Sequence, residues 1–210
     1  MTGPQTKGLL LVSIAEEIRQ LLQQGRVSRE DIEAELDPHV LKLLDGEISP
    51  ISWYDGDTYP QLVRLLMKIE GRRPGDMSYV RQRAERAGRR LVESGLYQQL
   101  DYMKRRADEH KGEPLDRKLF EQTLRLINSV AAAFMKGGVW TLEEDPFCDD
   151  RLRFVLTDVD GMSEENAEAT CGILSGITLA GGGGFSWIYE RPAPDRILYR
   201  MDRDIGEIDF

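Results

Sequence analysis

Apolar residues recur every three or four positions through most of the first 136 residues, which is the spacing of amphipathic helices. The segments with this spacing are 8–25, 28–36, 38–46, 60–69, 76–94, 96–110 and 115–136. The last of them is the longest apolar stripe, and the helix is expected to stop at Gly137 and Gly138. The pattern therefore predicts a helical N-terminal part that ends in one long buried helix.

Beyond Gly138 the pattern changes to the alternation that is typical of half-buried strands. It predicts strands in "VWTLEED" and "RLRFVLTDVD", a helix over 163–180, and two further strands in "FSWIYER" and "RILYRM". A helix between two hairpins favours an antiparallel sheet with helices on one side. The sequence therefore predicts an α+β fold, in which the helical part packs with a small antiparallel sheet from a C-terminal ββαββ unit.

The length of 210 residues fits a single domain, which we expect to span 8–202. Residues 1–7 are predicted to be a disordered lead-in, and residues 203–210 an acidic tail. The segment "ISPISWYDGD" carries Pro and Asp-Gly turn signals and is predicted to be a connector.

The formal net charge is −9, and a surface of this sign repels both a phosphate backbone and anionic lipid. We therefore expect no nucleic-acid partner. The apolar run "GLLLVSIA" is too short for a membrane span and lacks the flanks of a secretory signal. Two cysteines without C-x-x-C spacing are typical of reduced thiols. These features predict a cytoplasmic protein without a membrane span.

Three segments carry a resemblance: "TKGLLLVSIAEEIRQLL", "ISWYDGDTYPQLVRLLMKIEG", and "CGILSGITL" before a final aromatic hairpin. In this order they resemble the vinyl-reductase-like and haem-NO-binding-like superfamily, whose fold is shared with the small subunits of the TRAPP trafficking complex. The similarity is greatest to uncharacterised myxobacterial proteins of comparable length, and it extends from about Lys7 to Met201. It implies a haem-NO-binding-like fold and a small-molecule sensor or protein-interaction module.

The resemblance raises the question of whether this chain binds haem. The haem-binding branch has a proximal His on the long mid-chain helix and a Tyr-x-Ser-x-Arg set for the propionates. The helix predicted over 115–136 contains no His, and the nearest counterpart of the second motif, Tyr189-Glu190-Arg191, departs from it. His39 and His110 lie in polar segments that are typical of the surface. We therefore expect no haem and no other cofactor.

A pocket for a small apolar ligand between the long helix and the helix over 163–180 is one of two interpretations of the small residues there, and tight helix contact is the favoured one. Small residues at 129–133 and at Gly172, Ser175 and Gly176 permit either tight helix contact or room for a ligand. Cys171 lies on the apolar stripe of its helix, which is typical of a core thiol. The candidate pocket residues are Trp53, Phe134, Cys171, Leu174 and Trp187.

The segment "YVRQRAERAGRR" is strongly basic within an acidic chain. Arg83, Arg86 and Arg90 share one face of the predicted helix. They form either a solvated face paired with Glu85 and Glu93, or a docking face for an acidic partner such as a second copy of the chain. The second interpretation predicts a protein partner or self-association.

No nucleophile elbow, H-E-x-x-H motif or Ser/His/Asp set is present, so no catalytic residue is assigned. The segments "EEDPFCDD" and "DVDG" resemble metal loops, but the later positions of a calcium loop are missing, and no metal ligand is assigned. We expect a non-enzymatic, haem-free ligand-sensing or protein-interaction module in signalling or regulation. The alternative is a small metal-dependent or hydrolytic enzyme that uses these acidic loops.

Four consecutive glycines, 181–184, follow the predicted helix and precede a strand. A phosphate-binding loop has the opposite order, because its glycines come before the helix N-terminus. The glycines therefore predict a helix stop and a hinge into the last hairpin.

Overall fold

The computed structural model describes residues 3–95, 117–181 and 185–202, together with single positions between 96 and 116, and it omits the side chains of 117–120 and 149–150. Within this part the helices are α1 (Gly8–Gln23), α2 (Arg29–Glu35), α3 (Pro38–Asp45), α4 (Thr58–Ile69), α5 (Met77–Glu93), α6 (Arg117–Phe134) and α7 (Glu164–Ala180). The strands are β1 (Gln5–Lys7), β2 (Trp53–Asp55), β3 (Met135–Lys136), β4 (Val139–Asp145), β5 (Cys148–Thr157), β6 (Trp187–Ala193) and β7 (Arg196–Met201). The predicted α+β class is confirmed. Most of the helix predicted over 96–110, His110, the glycines 182–184 and the acidic tail lie outside the described residues.

A four-stranded antiparallel sheet is formed by the ββαββ unit, in the strand order β4-β5-β7-β6. The two hairpins join where β5 pairs with β7 and Phe154 stands opposite Tyr199. Because side chains alternate along a strand, one face collects the aromatic residues. The rings of Phe154 and Trp187 stack with their centroids 4.7 Å apart, and those of Trp140 and Tyr199 with theirs 5.7 Å apart. This aromatic layer is the sheet's share of the hydrophobic core.

A second, three-stranded sheet has the order β2-β1-β3. Its central strand is β1, so the prediction of a disordered lead-in is wrong for residues 5–7. Its outer strand β2 lies in the predicted connector. Strands of two or three residues are too short to show alternation, and these form only because segments that are distant in the chain pair with one another.

The helices α1 to α4 bury their apolar stripes in a common core, as Leu11 and Ile18 of α1 and Leu66 of α4 illustrate. Helix α2 begins with the expected reciprocal cap. The Ser28 hydroxyl accepts a hydrogen bond from the Asp31 amide at 3.0 Å, and the Asp31 carboxylate accepts one from the Ser28 amide at 3.3 Å. Local sequence signals thus set the start of this helix, and burial of its apolar side holds it in place.

The long helix α6 ends two residues before the predicted end at 136, because residues 135–136 pair with β1 as strand β3. Its apolar stripe, including Ile127 and Phe134, is buried. Among the described helices, none has the length and apolar character that crossing a membrane requires.

Helices α5 and α7 cross at backbone contact through three glycines. A Cβ atom at Gly172 would lie 2.5 Å from the Arg81 carbonyl oxygen, and one at Gly88 would lie 2.4 Å from that of Ile173. Position 172 faces position 81, and position 176 faces position 85, so the two helices run in the same direction. Of the two interpretations that the sequence left open for these small residues of α7, tight helix contact is the one that the structure shows.

Candidate functional site

A groove of about 300 Å³ lies between α1 and α5. Its basic side comes from α5, and its opposite side comes from α1 and α4. The lining residues are Leu10, Ser13, Ile14, Glu17, Tyr59, Arg83, Ala84, Arg86, Ala87, Arg90 and Ile173. The three arginines predicted as an interaction face therefore line one concave surface. We call it the arginine groove.

The three arginines differ in their partners. Arg83 is largely buried, with a side chain that is 15% exposed, and its guanidinium forms an ion pair with Glu17 of α1. Burial lowers the pKa of Arg83 and the Glu17 carboxylate raises it, with a net shift above the ordinary value. Arg86 and Arg90 are exposed and form no ion pair with any residue that the structure describes. The arginine groove therefore holds two guanidinium groups that have no counter-charge in the part of the chain that the structure describes.

Tyr59 of α4 reaches the groove from the core. The residue is only 6% exposed, and within the described residues its hydroxyl has no hydrogen-bond partner. Burial raises the pKa of Tyr59 far above the ordinary value, although the nearby Arg83 opposes this, so the hydroxyl stays protonated and can donate. The hydroxyl oxygen is not fully enclosed and reaches the groove, where it can donate to a bound group. Sequence reasoning missed Tyr59 because it lies on the apolar stripe of its helix.

A small apolar cavity of about 30 Å³ adjoins the groove. Its lining residues are Thr6, Leu10, Tyr59, Ala131, Phe134, Met135, Asn166, Ala169, Thr170, Ile173 and Leu174. Two of the five predicted pocket residues, Phe134 of α6 and Leu174 of α7, are therefore brought together here. The volume is far below that of known ligand sites, so the cavity by itself does not enclose a drug-sized molecule.

Cys171 and Trp187 lie in the core and do not line the cavity. The Cys171 thiol donates to the Trp187 carbonyl oxygen at 3.0 Å, and the indole N–H of Trp187 donates to the Thr178 hydroxyl at 2.8 Å. The Ser175 hydroxyl also accepts from the Trp187 amide at 2.9 Å. Burial raises the pKa of Cys171 to about 12, so the thiol is neutral near pH 7. These bonds join β6 to α7.

Trp53, the remaining predicted pocket residue, lies on β2 and is half-buried. The ammonium group of Lys7 sits 4.3 Å from the centroid of its ring, and that of Lys136 sits 6.0 Å away. Trp53 thus lies on the small sheet and lines neither the arginine groove nor the apolar cavity, although Thr6 and Met135 of the same sheet line the cavity.

The side chains that resemble a propionate-binding set are engaged in internal contacts. The Tyr189 hydroxyl donates to a Glu164 carboxylate oxygen at 2.7 Å, and the Arg191 guanidinium pairs with the same carboxylate at 2.7 Å. His39 is exposed, and its Nε2 lies 3.5 Å from an Asp57 carboxylate oxygen. Tyr189 and Arg191 are thus engaged with Glu164, and an open cleft of about 450 Å³, lined in part by Glu164 and Arg191, lies beside them.

The two acidic loops stand at opposite ends of β5. Asp145 precedes the strand and is buried against Arg200, whose guanidinium donates to both carboxylate oxygens at 2.8 and 2.9 Å. Asp158 and Asp160 follow the strand and are exposed. Ten residues of extended chain separate the loops by roughly 30 Å. They therefore do not converge on one site.

One acidic cluster was not expected from the sequence. Ligand atoms of Asp37, His39 and Asp57 lie within 4.8 Å of one another, and all three side chains are exposed. The amide of Gln61 donates to both carboxylates, at 2.7 Å to Asp37 and 3.0 Å to Asp57. Gln61 thus bridges the two carboxylates, while His39 lies 3.5 Å from Asp57 at the protein surface.

No protein-family model matches the chain, and no curated protein matches it. What the structure defines is an α+β protein with an arginine-lined groove next to a small apolar cavity. The resemblance to the haem-NO-binding-like superfamily therefore stays a prediction.

Proposed function

We propose that this chain is a non-enzymatic, haem-free binding module that recognises an anionic group in the arginine groove. The observation that carries the proposal is the pair Arg86 and Arg90, which line a concave surface without a carboxylate partner in the described part of an acidic protein. The haem-NO-binding-like fold that the sequence resembles is part of this proposal, as is a role in signalling or regulation.

Other arginines of α5 do have carboxylate partners, and this contrast supports the proposal. Arg81 pairs with the largely buried Glu168, and Arg89 pairs with Glu85 at 2.8 Å. With 37 acidic against 28 basic residues, a partner for each guanidinium is easily supplied. Two arginines left without one in a groove are therefore a favourable place for an external anion.

The bound group belongs either to a small anionic molecule or to the acidic side chains of a protein, including another copy of this chain. Both forms of recognition use planar, bidentate contacts from a guanidinium, and both are strengthened where the groove partly excludes water. The enzymatic alternative has less support, since the acidic loops on which it depends lie at opposite ends of β5.

An NMR titration of the ¹⁵N-labelled protein tests the proposal, with sodium sulfate and a hexaglutamate peptide as the two probes. We expect saturable shifts at the α5 amides and at the Nε–Hε groups of Arg86 and Arg90. The double variant Arg86→Gln/Arg90→Gln should lose them. Arg89→Gln, on the face of α5 outside the groove, is the matched control and should retain them.

Shifts that are absent with both probes, or unchanged in the double variant, would contradict the proposal. The haem-free part has its own readout, which is the absorbance spectrum of the purified protein. We expect no Soret band, and haem at one equivalent per chain would overturn that part alone.

A further inference from the structure

The arginine groove and the apolar cavity share a wall. Leu10 of α1, Tyr59 of α4 and Ile173 of α7 line both of them. A molecule that lies in the groove therefore contacts charged guanidinium groups on one side and the boundary of an apolar cavity on the other.

The free polar groups of the groove are hydrogen-bond donors. They are the guanidinium groups of Arg86 and Arg90, the Tyr59 hydroxyl, and the exposed Ser13 hydroxyl. Among the described residues of the lining, the carboxylate is that of Glu17, and Arg83 engages it. The complementary ligand group is consequently an anionic acceptor, and a planar carboxylate matches the fork of a guanidinium.

The apolar part of the lining limits what the anion is attached to. Leu10, Ala87 and Ile173 offer hydrocarbon surface beside the donors. The groove volume of about 300 Å³ lies at the small end of known ligand sites, and the adjoining cavity adds only about 30 Å³. These volumes fit a compact ring or branched chain and leave no room for a long hydrocarbon tail.

We propose that the groove and the cavity form one site for a compact organic monocarboxylate, whose carboxylate is bound by Arg86, Arg90 and Tyr59. Its apolar group packs against Leu10 and Ile173. This inference rests on the proposed function and narrows it to one class of small molecule.

Isothermal titration with benzoate and benzamide separates charge from shape, because the two molecules share the ring and differ in the anion. We expect benzoate to bind at one equivalent per chain, with a Kd at least about tenfold lower than that of benzamide.

Arg86→Gln/Arg90→Gln should remove this preference. Tyr59→Phe should weaken benzoate binding about fivefold and leave benzamide unaffected. Arg89→Gln should bind benzoate as the unchanged protein does.

Leu10→Ala tests the apolar contact. We expect it to weaken benzoate more than sulfate, and retained sulfate binding shows that the groove of the variant is intact. Sulfate that binds as tightly as benzoate, or benzoate that binds no better than benzamide, would overturn the inference while leaving the proposed function in place. Chemical-shift changes at groove residues with hexaglutamate, and none with benzoate, would likewise overturn the inference and leave the proposed function in place. If no anion binds, both proposals fail.

Discussion

Gly176 of α7 lies directly against the carbonyl oxygen of Glu85 in α5, so closely that a Cβ atom at position 176 would be 2.1 Å from that oxygen. The neighbouring atom belongs to helix backbone, which cannot rotate away as a side chain can. This contact fixes the distance between the two helices, and with it the position of the arginines that α5 carries into the groove.

Gly176→Ala should therefore destabilise the protein, even though alanine is the better helix former by about 1 kcal/mol. Separating two packed helix backbones outweighs that gain, and we expect a net loss of about 2 kcal/mol in the free energy of unfolding. Urea unfolding followed by circular dichroism measures it. Gly3→Ala, with no atom within 4 Å of the added carbon, is the control. An unchanged or higher urea midpoint for Gly176→Ala would show that the helices separate easily.

The sequence was sufficient for the ββαββ unit because its strands of six to ten residues are long enough to show alternation. It was insufficient for the groove. Arg83 shares a helical face with Arg86 and Arg90, so periodicity groups the three. What sets Arg83 apart is Glu17, which is 66 positions away in the chain. Such a contact follows from tertiary packing and leaves no local signal.

The Asp145–Arg200 pair should make a large contribution to stability at neutral pH. The Asp145 side chain is 4% exposed, and Arg200 binds both of its oxygens. Arg200→Gln leaves a buried carboxylate without its partner, and we expect a loss of about 3 kcal/mol. Glu190→Gln removes the exposed partner of the same arginine, 3.1 Å from it, and should have little effect. Thermal unfolding of both variants measures the difference, and equal effects would contradict this assignment.

The Asp145–Arg200 pair also predicts how the stability of the fold changes at acid pH. Burial raises the pKa of Asp145, and Arg200 with the Phe147 amide lowers it, with a net shift below the ordinary value of 3.8. Because the folded pKa is the lower one, the unfolded state takes up the proton first as the pH falls. The stabilisation is therefore complete above about pH 5 and is lost as the pH falls through the folded pKa. Between pH 5 and pH 2 the stability of Arg200→Gln should fall less steeply than that of the unchanged protein, as measured by urea unfolding.

Cys171 predicts that the stability of the fold decreases at alkaline pH. Its folded pKa of about 12 lies above the ordinary value of 9.0, so above pH 9 the unfolded state loses the proton while the folded state keeps it. Stability should fall by about 1.4 kcal/mol per pH unit from this group alone. Cys171→Ser keeps a donor for the Trp187 carbonyl but does not ionise, and it should show a shallower fall between pH 9 and 10.5. Identical slopes would show that the thiolate is tolerated in the fold.

More than any other residue of the groove, Tyr59 is expected to affect ligand affinity without affecting the stability of the fold. Its hydroxyl has no partner in the described part of the chain and is open to the groove, so removing it breaks no internal hydrogen bond and opens no buried cavity. We expect Tyr59→Phe to unfold at the same urea concentration as the unchanged protein, within about 0.5 kcal/mol, while its affinity for benzoate falls. A residue kept for packing alone would show the first result without the second. A loss of stability above about 1 kcal/mol would instead mean that the hydroxyl stabilises the fold through an internal partner, and Tyr59 would then no longer mark a binding site.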